Sequence, residues 1–423
     1  MTFTARPDRH YIRPTYRSDR FVLAEITAPP AHREHARPPV RLSFVIDRSG
    51  SMSGEKLRLA KLAVEESLAR LHPTDQFSIV VYDEVIDVVF PSAPATDDAR
   101  RSALARLGEI QPRGSTNLGE GWLRGCEQVA LALSTDGVNR CLLLTDGLAN
   151  VGMTDPGELA PHARELRIRG VTTTTFGVGQ DFDEVLLQAM ADAGGGHFYF
   201  IRDAAGIRDH VTSEVGETLE VVARDVTLEL TAADGVRVDP LSPFPAETRG
   251  SRTTISVGDL VADQRLQVVL RLNFPFGEIG RTSGTILGVS DREGVLGRAM
   301  AKLGWEYADN HLNDEQPRDR EVDRAVARIF ASRARQEATA RNRAGDFLGA
   351  REVIVGVARR IRDYAGRDAE LRAIVAELDR ESEVLAAPMA EMSRKEMYFR
   401  SANVARMRSV EGRAVRHEDQ PTR

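Results

Sequence analysis

The chain has 423 residues, 42% of them hydrophobic and 28% charged, with a formal net charge of −6. At roughly 100–200 residues per domain that is room for two to four domains, and the composition excludes wholesale disorder. The balance of charge gives no overall pull toward nucleic acid or an anionic membrane, and the strong preference for Arg over Lys reads as composition bias rather than as a phosphate-binding device.

The first residues, MTFTARPDRHYIRP, hold no apolar run of secretory length, and no stretch approaches the ~20 apolar residues of a membrane span. Cys126 and Cys141 are too few for a disulfide framework, so two buried thiols in a reducing, cytoplasmic setting are expected. No P-loop, H-E-x-x-H or paired C-x-x-C pattern occurs, so neither P-loop nucleotide chemistry nor zinc is expected.

In chain order, residues 20–28 alternate as a strand, and a proline-rich linker runs from Ala28 to Pro39. Arg41–Asp47 is a continuous apolar strand. Glu55–Leu71 places Leu57, Ala60, Val64, Leu68 and Leu71 on one helical face. Gln76–Asp83 and Val85–Phe90 are strands, Asp97–Leu107 and Leu118–Leu133 helices, and Arg140–Asp146 another apolar strand. Asp155-Pro156 opens a helix that ends at Gly170. VTTTTFGVG, DEVLLQAMADAGGG and HFYFI add a strand, a helix and a strand. Strands that alternate with helices imply a mainly parallel sheet covered on both faces.

From Ala223 the period becomes two, which predicts an antiparallel β-sandwich to about Asp291, and the strand at Phe21–Thr27 is expected to join it. After Gly297 the chain reads as helical. Val322, Val326, Ile329 and Phe330 mark one helix; Phe347, Ile354, Val357, Ala358 and Ile361 a second; Leu371, Ile374, Val375 and Leu378 a third. The expected division is therefore 1–40, an N-terminal segment; 41–219, an α/β domain; 220–296, the sandwich; 297–387, the helical part; and 388–423, a tail with no placing pattern. The arginines of Arg333–Arg343 are expected on a solvated face.

Three loops at strand ends carry the chemistry. They are Asp47-Arg48-Ser49-Gly50-Ser51, Gly114-Ser115-Thr116-Asn117 and Thr145-Asp146-Gly147. All should lie at the carboxyl edge of the parallel sheet, where open α/β sheets bind ligands. Their hydroxyls and carboxylates are hard oxygen donors suited to a divalent cation, and Mg²⁺, which keeps several waters, fits so sparse a ligand set. Ser49, Ser51 and Thr116 would ligate through hydroxyls, with Asp47 and Asp146 balancing charge, partly through water. Taken singly, each Ser or Thr reads as a cap or turn residue. Asp83 and Glu84 read as a hairpin turn and His197 as a partly buried structural residue.

Asp47-x-Ser49-x-Ser51, Thr116 and Asp146 resemble the metal-ion-dependent adhesion site of von Willebrand factor A domains, and the resemblance covers roughly Arg41–Glu217. It implies a Rossmann-like fold and a non-enzymatic Mg²⁺-dependent binding module of the bacterial intracellular type, with Mn²⁺ or Ca²⁺ as alternative ions. It also implies a protein partner that supplies an Asp or Glu carboxylate, with AAA+ ATPases, kinase–phosphatase sets and membrane complexes left open. The competing readings are a metal-assisted phosphoester hydrolase, for which no His or Lys base is evident, and a secreted adhesin, against which the missing signal and disulfides speak.

Overall fold

The computed structural model describes residues 2–31 and 37–416. The middle of the proline-rich linker and the last residues of the tail lie outside the described residues. Two compact units are formed, one of the residues up to Ala31 together with those from Val222, the other of the intervening residues to Val221.

Three strands open the chain, β1 (Thr2–Pro7), β2 (Tyr11–Ile12) and β3 (Ser18–Thr27). The intervening unit then contains β4 (Val40–Asp47), α1 (Glu55–Ala69), β5 (Gln76–Tyr82), β6 (Ile86–Pro94), α2 (Asp97–Gly108) and α3 (Leu118–Ala130). It continues with β7 (Val138–Thr145), α4 (Pro156–Ile168), β8 (Thr172–Val178), α5 (Glu184–Gly194), β9 (Gly195–Ile201) and α6 (Ala205–Leu219). The strand order is β6-β5-β4-β7-β8-β9. All neighbours run parallel except β6, which returns antiparallel from β5 through the turn at Asp83. This is a Rossmann-like core of a mixed, mainly parallel sheet with flanking helices. Burial on both faces explains the unbroken apolar runs, since every residue of β7 is buried. Side-chain caps from Thr96, Asn117, Asp155 and Asp183 start α2, α3, α4 and α5.

The other unit continues with β10 (Val221–Ala232), β11 (Arg237–Pro240), β12 (Ala246–Arg249), β13 (Arg252–Val261), β14 (Arg265–Phe274), β15 (Thr282–Ser290) and β16 (Ala299–Tyr307). Two sheets form, β1-β3-β14-β11 and β12-β13-β10-β15-β16-β2. Strand β3 pairs antiparallel with β14 from Thr27 opposite Arg265 to Ser18 opposite Phe274. A strand that precedes the α/β unit thus neighbours one that follows it. Val22, Ala24 and Ile26 share a core with Val268, Leu270, Leu228, Leu287 and Trp305.

Strand β16 corrects the expectation that the chain is helical from residue 297. Ala299–Tyr307 alternates in burial, with Trp305 and Tyr307 turned into the sandwich core. Its Ala, Met, Lys and Leu favour a helix, and the tertiary partner β15 overrides that preference. The N-terminal strands β1 and β2 also lie outside the elements expected from the sequence, although Phe3 and Ala5 of β1 alternate with polar residues.

The helices of this unit are α7 (Asn310–Glu315), α8 (Arg320–Arg343), α9 (Phe347–Ala365), α10 (Ala369–Leu385) and α11 (Glu391–Ala405). Small residues Ala327, Ala331, Ala334 and Ala338 let α8 approach Ala350, Ile354, Leu371 and Leu378. The arginines of α8 do not form a plain solvated face. Arg335 pairs with Glu377 and Glu381 of α10, and Arg333 donates to the Leu241 carbonyl at 2.7 Å. Part of the tail is α11, which packs on α8. Among the described residues no helix is long and apolar enough to cross a membrane.

Candidate metal centre at the strand switch point

Strand β4 is the first of the α/β sheet, and the chain builds outward from it in both directions. The next strands, β5 and β6, lie on one side, and β7, β8 and β9 on the other. The order reverses between β4 and β7, and the crevice outside the carboxyl ends of such a pair is where doubly wound sheets take ligands. Asp47 ends β4, and Asp146 directly follows β7.

Asp47 is fully buried, not merely at a loop edge. Its Oδ1 accepts the Ser49 backbone N–H at 2.7 Å, and its Oδ2 accepts the Thr145 hydroxyl at 2.8 Å. The first bond closes an Asx turn that folds the loop back over the strand end. Burial pushes the Asp47 carboxyl up to about 6 against the pull of those hydrogen bonds. Ser49 Oγ and Ser51 Oγ lie 3.0 Å apart, and the Ser51 hydroxyl donates to Asp146 Oδ1 at 2.7 Å. Met52 is fully buried and anchors the short turn that carries Ser51.

Thr116 reaches the same place from the loop before α3. That helix lies hard against the sheet because it presents glycine there. A Cβ on Gly121 would stand 2.5 Å from the Tyr82 ring, and one on Gly125 2.1 Å from Val45 Cγ2. The Thr116 N–H donates to Asn150 Oδ1 at 2.9 Å, and its carbonyl accepts from the N–H groups of Asn150 and Val151. Gly147 closes the arrangement. A Cβ there would lie 3.5 Å from Thr116 Oγ1 and 3.9 Å from Ser51 Oγ. Of the five residues singled out in the sequence, Asp47, Ser49, Thr116 and Asp146 are thus buried at one end of the β4–β7 crevice, and Ser51 is exposed at its mouth.

Three features of this edge are not visible as motifs. Asn150 holds Thr116. Lys56, in the first turn of α1, donates to Asp146 Oδ2 at 2.5 Å. Asp83 does form the hairpin turn, accepting the Val85 N–H at 2.6 Å, but it also accepts from Arg48 Nε at 3.0 Å and Arg113 Nε at 2.7 Å. Although burial works upward on it, these bonds prevail and hold its carboxyl below the usual carboxylate range. The sequence signal for Lys56 and Asp83 is charge placed beside the motif loops; Asn150 carries none.

Every donor side chain at the motif is an oxygen, which fits a hard divalent cation. A second group, His197, Glu214 and Glu217, brings ligand atoms within 4.8 Å of one another and is a candidate for a divalent cation by composition. It lies at the other edge of the sheet, among the first residues of β7, β8 and β9. There Glu214 Oε1 accepts from Arg140 at 2.7 Å and Thr174 at 2.8 Å, and Oε2 bonds His197 at 3.0 Å and Tyr199 at 2.7 Å. A buried guanidinium already neutralises this carboxylate, which makes it the poorer of the two sites for a cation.

Residues 42–213 match the family described as von Willebrand factor type A domain. The matched stretch contains all five residues of the candidate metal-binding site. The chain is 33% identical over 283 residues to the uncharacterised protein YfbK of Escherichia coli (strain K12), covering 64% of this chain and 48% of that protein, so it spans about half of that relative's length. The solved von Willebrand factor type A structure from Catenulispora acidiphila superposes with a TM-score of 0.71 at 20% identity, covering 98% of this chain and 97% of that one. The ArnB paralog VWA2 from Sulfolobus acidocaldarius gives 0.63 at 16% identity, covering 97% and 99%. These likenesses establish the fold over nearly the whole chain.

Proposed function

We propose that Asp47, Ser49, Ser51, Thr116 and Asp146 hold Mg²⁺, with Mn²⁺ or Ca²⁺ as substitutes, and that the site captures an Asp or Glu carboxylate of a protein partner. The observation that carries this reading is the convergence of the Ser49 and Ser51 hydroxyls, 3.0 Å apart, on the Asp146 carboxylate, 2.7 Å from Ser51, at the strand switch point. When bound, the cation supplies a coordination position that favours an anionic oxygen.

The chain's own residues do the rest. Asp47 folds the first loop through its bond to the Ser49 N–H. Asn150 fixes the Thr116 backbone. Thr145 orients Asp47 from the neighbouring strand. The hydroxyls that would touch the ion are neutral and the two carboxylates would balance its charge partly through water, so a bound ion would still attract an acidic partner residue. Residues 41–219 are the binding domain in this reading, and the sandwich and helices would meet further partners. Partner classes compatible with it include an AAA+ ATPase or a kinase–phosphatase set. The buried free thiols Cys126 and Cys141 favour a cytoplasmic setting.

The test is capture of partners from lysate at fixed Mg²⁺ by the wild type, with a chelated sample and Asp47→Asn as controls, alongside titration calorimetry with Mg²⁺ and Mn²⁺. Calorimetric binding and metal-dependent capture support the reading. Absence of binding, or capture indifferent to chelator and substitution, overturns it.

A further inference from the structure

The two carboxylates of the candidate metal centre are both fully buried at their side chains or nearly so, and they face one crevice. Among the described residues no cation is bonded to Asp47; its oxygens take the Ser49 N–H and the Thr145 hydroxyl. The arginines nearest in sequence are turned elsewhere. Arg48 is spent on Asp83 and Asp87, and Arg113 on the same pair. Among the described residues the cation that meets the crevice is Lys56. Its Nζ lies 2.5 Å from Asp146 Oδ2 and also donates to the Ser51 carbonyl at 3.3 Å.

In a chain that uses Arg almost everywhere, Lys56, Lys61, Lys302 and Lys395 are the lysines. One of them stands at this edge. An ammonium is a compact point charge on a flexible stem, whereas a guanidinium is a broad planar fork. The Lys56 side chain is 30% exposed while the Asp146 side chain is fully buried. The stem therefore has room to swing outward, and the carboxylate has none.

We propose that Lys56 is a tethered counter-cation that sets the affinity of the metal centre by competing for Asp146. Without a metal ion, Lys56 neutralises Asp146 and relieves its repulsion with Asp47. With one, Lys56 gives up Asp146 Oδ2 or shares it. Its stem then carries the ammonium to the exposed rim, where it adds a second positive group beside the position offered to a partner carboxylate. The centre is thereby kept from binding divalent ions as tightly as two unopposed buried carboxylates would. This inference rests on the reading of the Asp47–Asp146 edge as a cation site.

The experiment compares wild type, Lys56→Met and Lys56→Arg as full chains, using Mg²⁺ and Mn²⁺ titration calorimetry and melting curves in chelator and in saturating Mg²⁺. Met keeps much of the stem without the charge. Expected is a Kd for the ion about tenfold lower in Lys56→Met, with Lys56→Arg near wild type. The melting temperature of Lys56→Met should fall in chelator, and the rise produced by Mg²⁺ should be larger than in wild type. A lysine that only stabilises α1 would lower melting equally in both conditions and leave Kd unchanged, and that result overturns the inference alone. Weaker ion binding in Lys56→Met overturns it too. No binding in any of the three proteins overturns the cation-site reading and this inference with it.

Discussion

The Arg113 backbone N–H donates to the carbonyl oxygen of Arg48 at 2.8 Å. That bond joins the loop of Ser49 and Ser51 to the loop of Thr116, and two others reinforce it. The Gly50 N–H donates to the Gly114 carbonyl at 3.3 Å, and the Asn117 N–H to the Asp83 carbonyl at 2.9 Å. The Asp83 carboxylate, fully buried, accepts from the side chains of both Arg48 and Arg113. The two hydroxyl-bearing loops are therefore clamped by a carboxylate that is not itself among the proposed ligands.

Asp83→Ala should expose the worth of that clamp. It leaves the Arg48 guanidinium, 5% exposed at its side chain, with the Val85 carbonyl and, as the remaining anion among the described residues, the half-exposed Asp87. Removing one partner of a buried ion pair costs about 3 kcal/mol or more. Urea denaturation should report a loss of that size, and Mg²⁺ affinity should fall as Thr116 drifts from the serines. Full stability with unchanged affinity would mean that backbone bonds alone hold the loops.

Asp47→Asn should separate binding from folding. Asp47 is buried without a cation of its own and beside Asp146, so its charge opposes folding in the absence of metal. The amide keeps an acceptor for the Ser49 N–H. Calorimetry should find Mg²⁺ binding abolished, while denaturation in chelator finds stability equal to wild type or above it. A large loss of stability would make Asp47 primarily structural.

What the sequence made legible at this site is what is local. The D-x-S-x-S spacing, the apolar strands and the Gly114-Ser115-Thr116-Asn117 loop before α3 each lie within one short segment, and backbone geometry carries them to the sheet edge. Lys56 and Asp83 act across loops, through side chains whose direction depends on packing, so nothing in their spacing marks them. The same limit hid β16. Its residues suit a helix, and the decision is made by β15 alongside and by the burial of Trp305. The two-residue β2 is too short for any period to register. Helix α11 mixes buried and exposed residues without a clear apolar stripe, as with Lys395 buried and Arg400 exposed.

Glu214→Gln should decide between the two candidate cation sites. The substitution removes the charge of the carboxylate that Arg140, 3% exposed, bonds at 2.7 Å. A loss of about 3 kcal/mol or more is expected by denaturation. Mg²⁺ affinity at the folded protein should be unchanged, because the substituted group lies at the far edge of the sheet. If Glu214→Gln abolishes binding and Asp47→Asn spares it, the ion belongs with His197, Glu214 and Glu217.

Thr116→Ala bears most directly on partner capture. The loop does not depend on the threonine side chain for its position. Its backbone is held by the Asn150 carboxamide oxygen at 2.9 Å, and Asn117 starts α3 by capping it. Losing the hydroxyl and methyl should therefore cost less than about 1 kcal/mol, the range for changes that break no buried network. The hydroxyl itself comes from a different loop than Ser49 and Ser51, so its removal opens one side of the cation site while leaving Asp47 and Asp146 to hold a weaker ion. If the carboxylate contact is the desolvated centre of the interface, capture should fall about tenfold or more, as when a central anchor is truncated. The measurement is partner recovery from lysate at fixed Mg²⁺ for wild type, Thr116→Ala and a chelated control, with denaturation curves run in parallel. Near-native stability with strongly reduced recovery assigns Thr116 to binding. Equal recovery in all three samples would move the binding surface away from this edge, to the sandwich or to the helices α8 and α9.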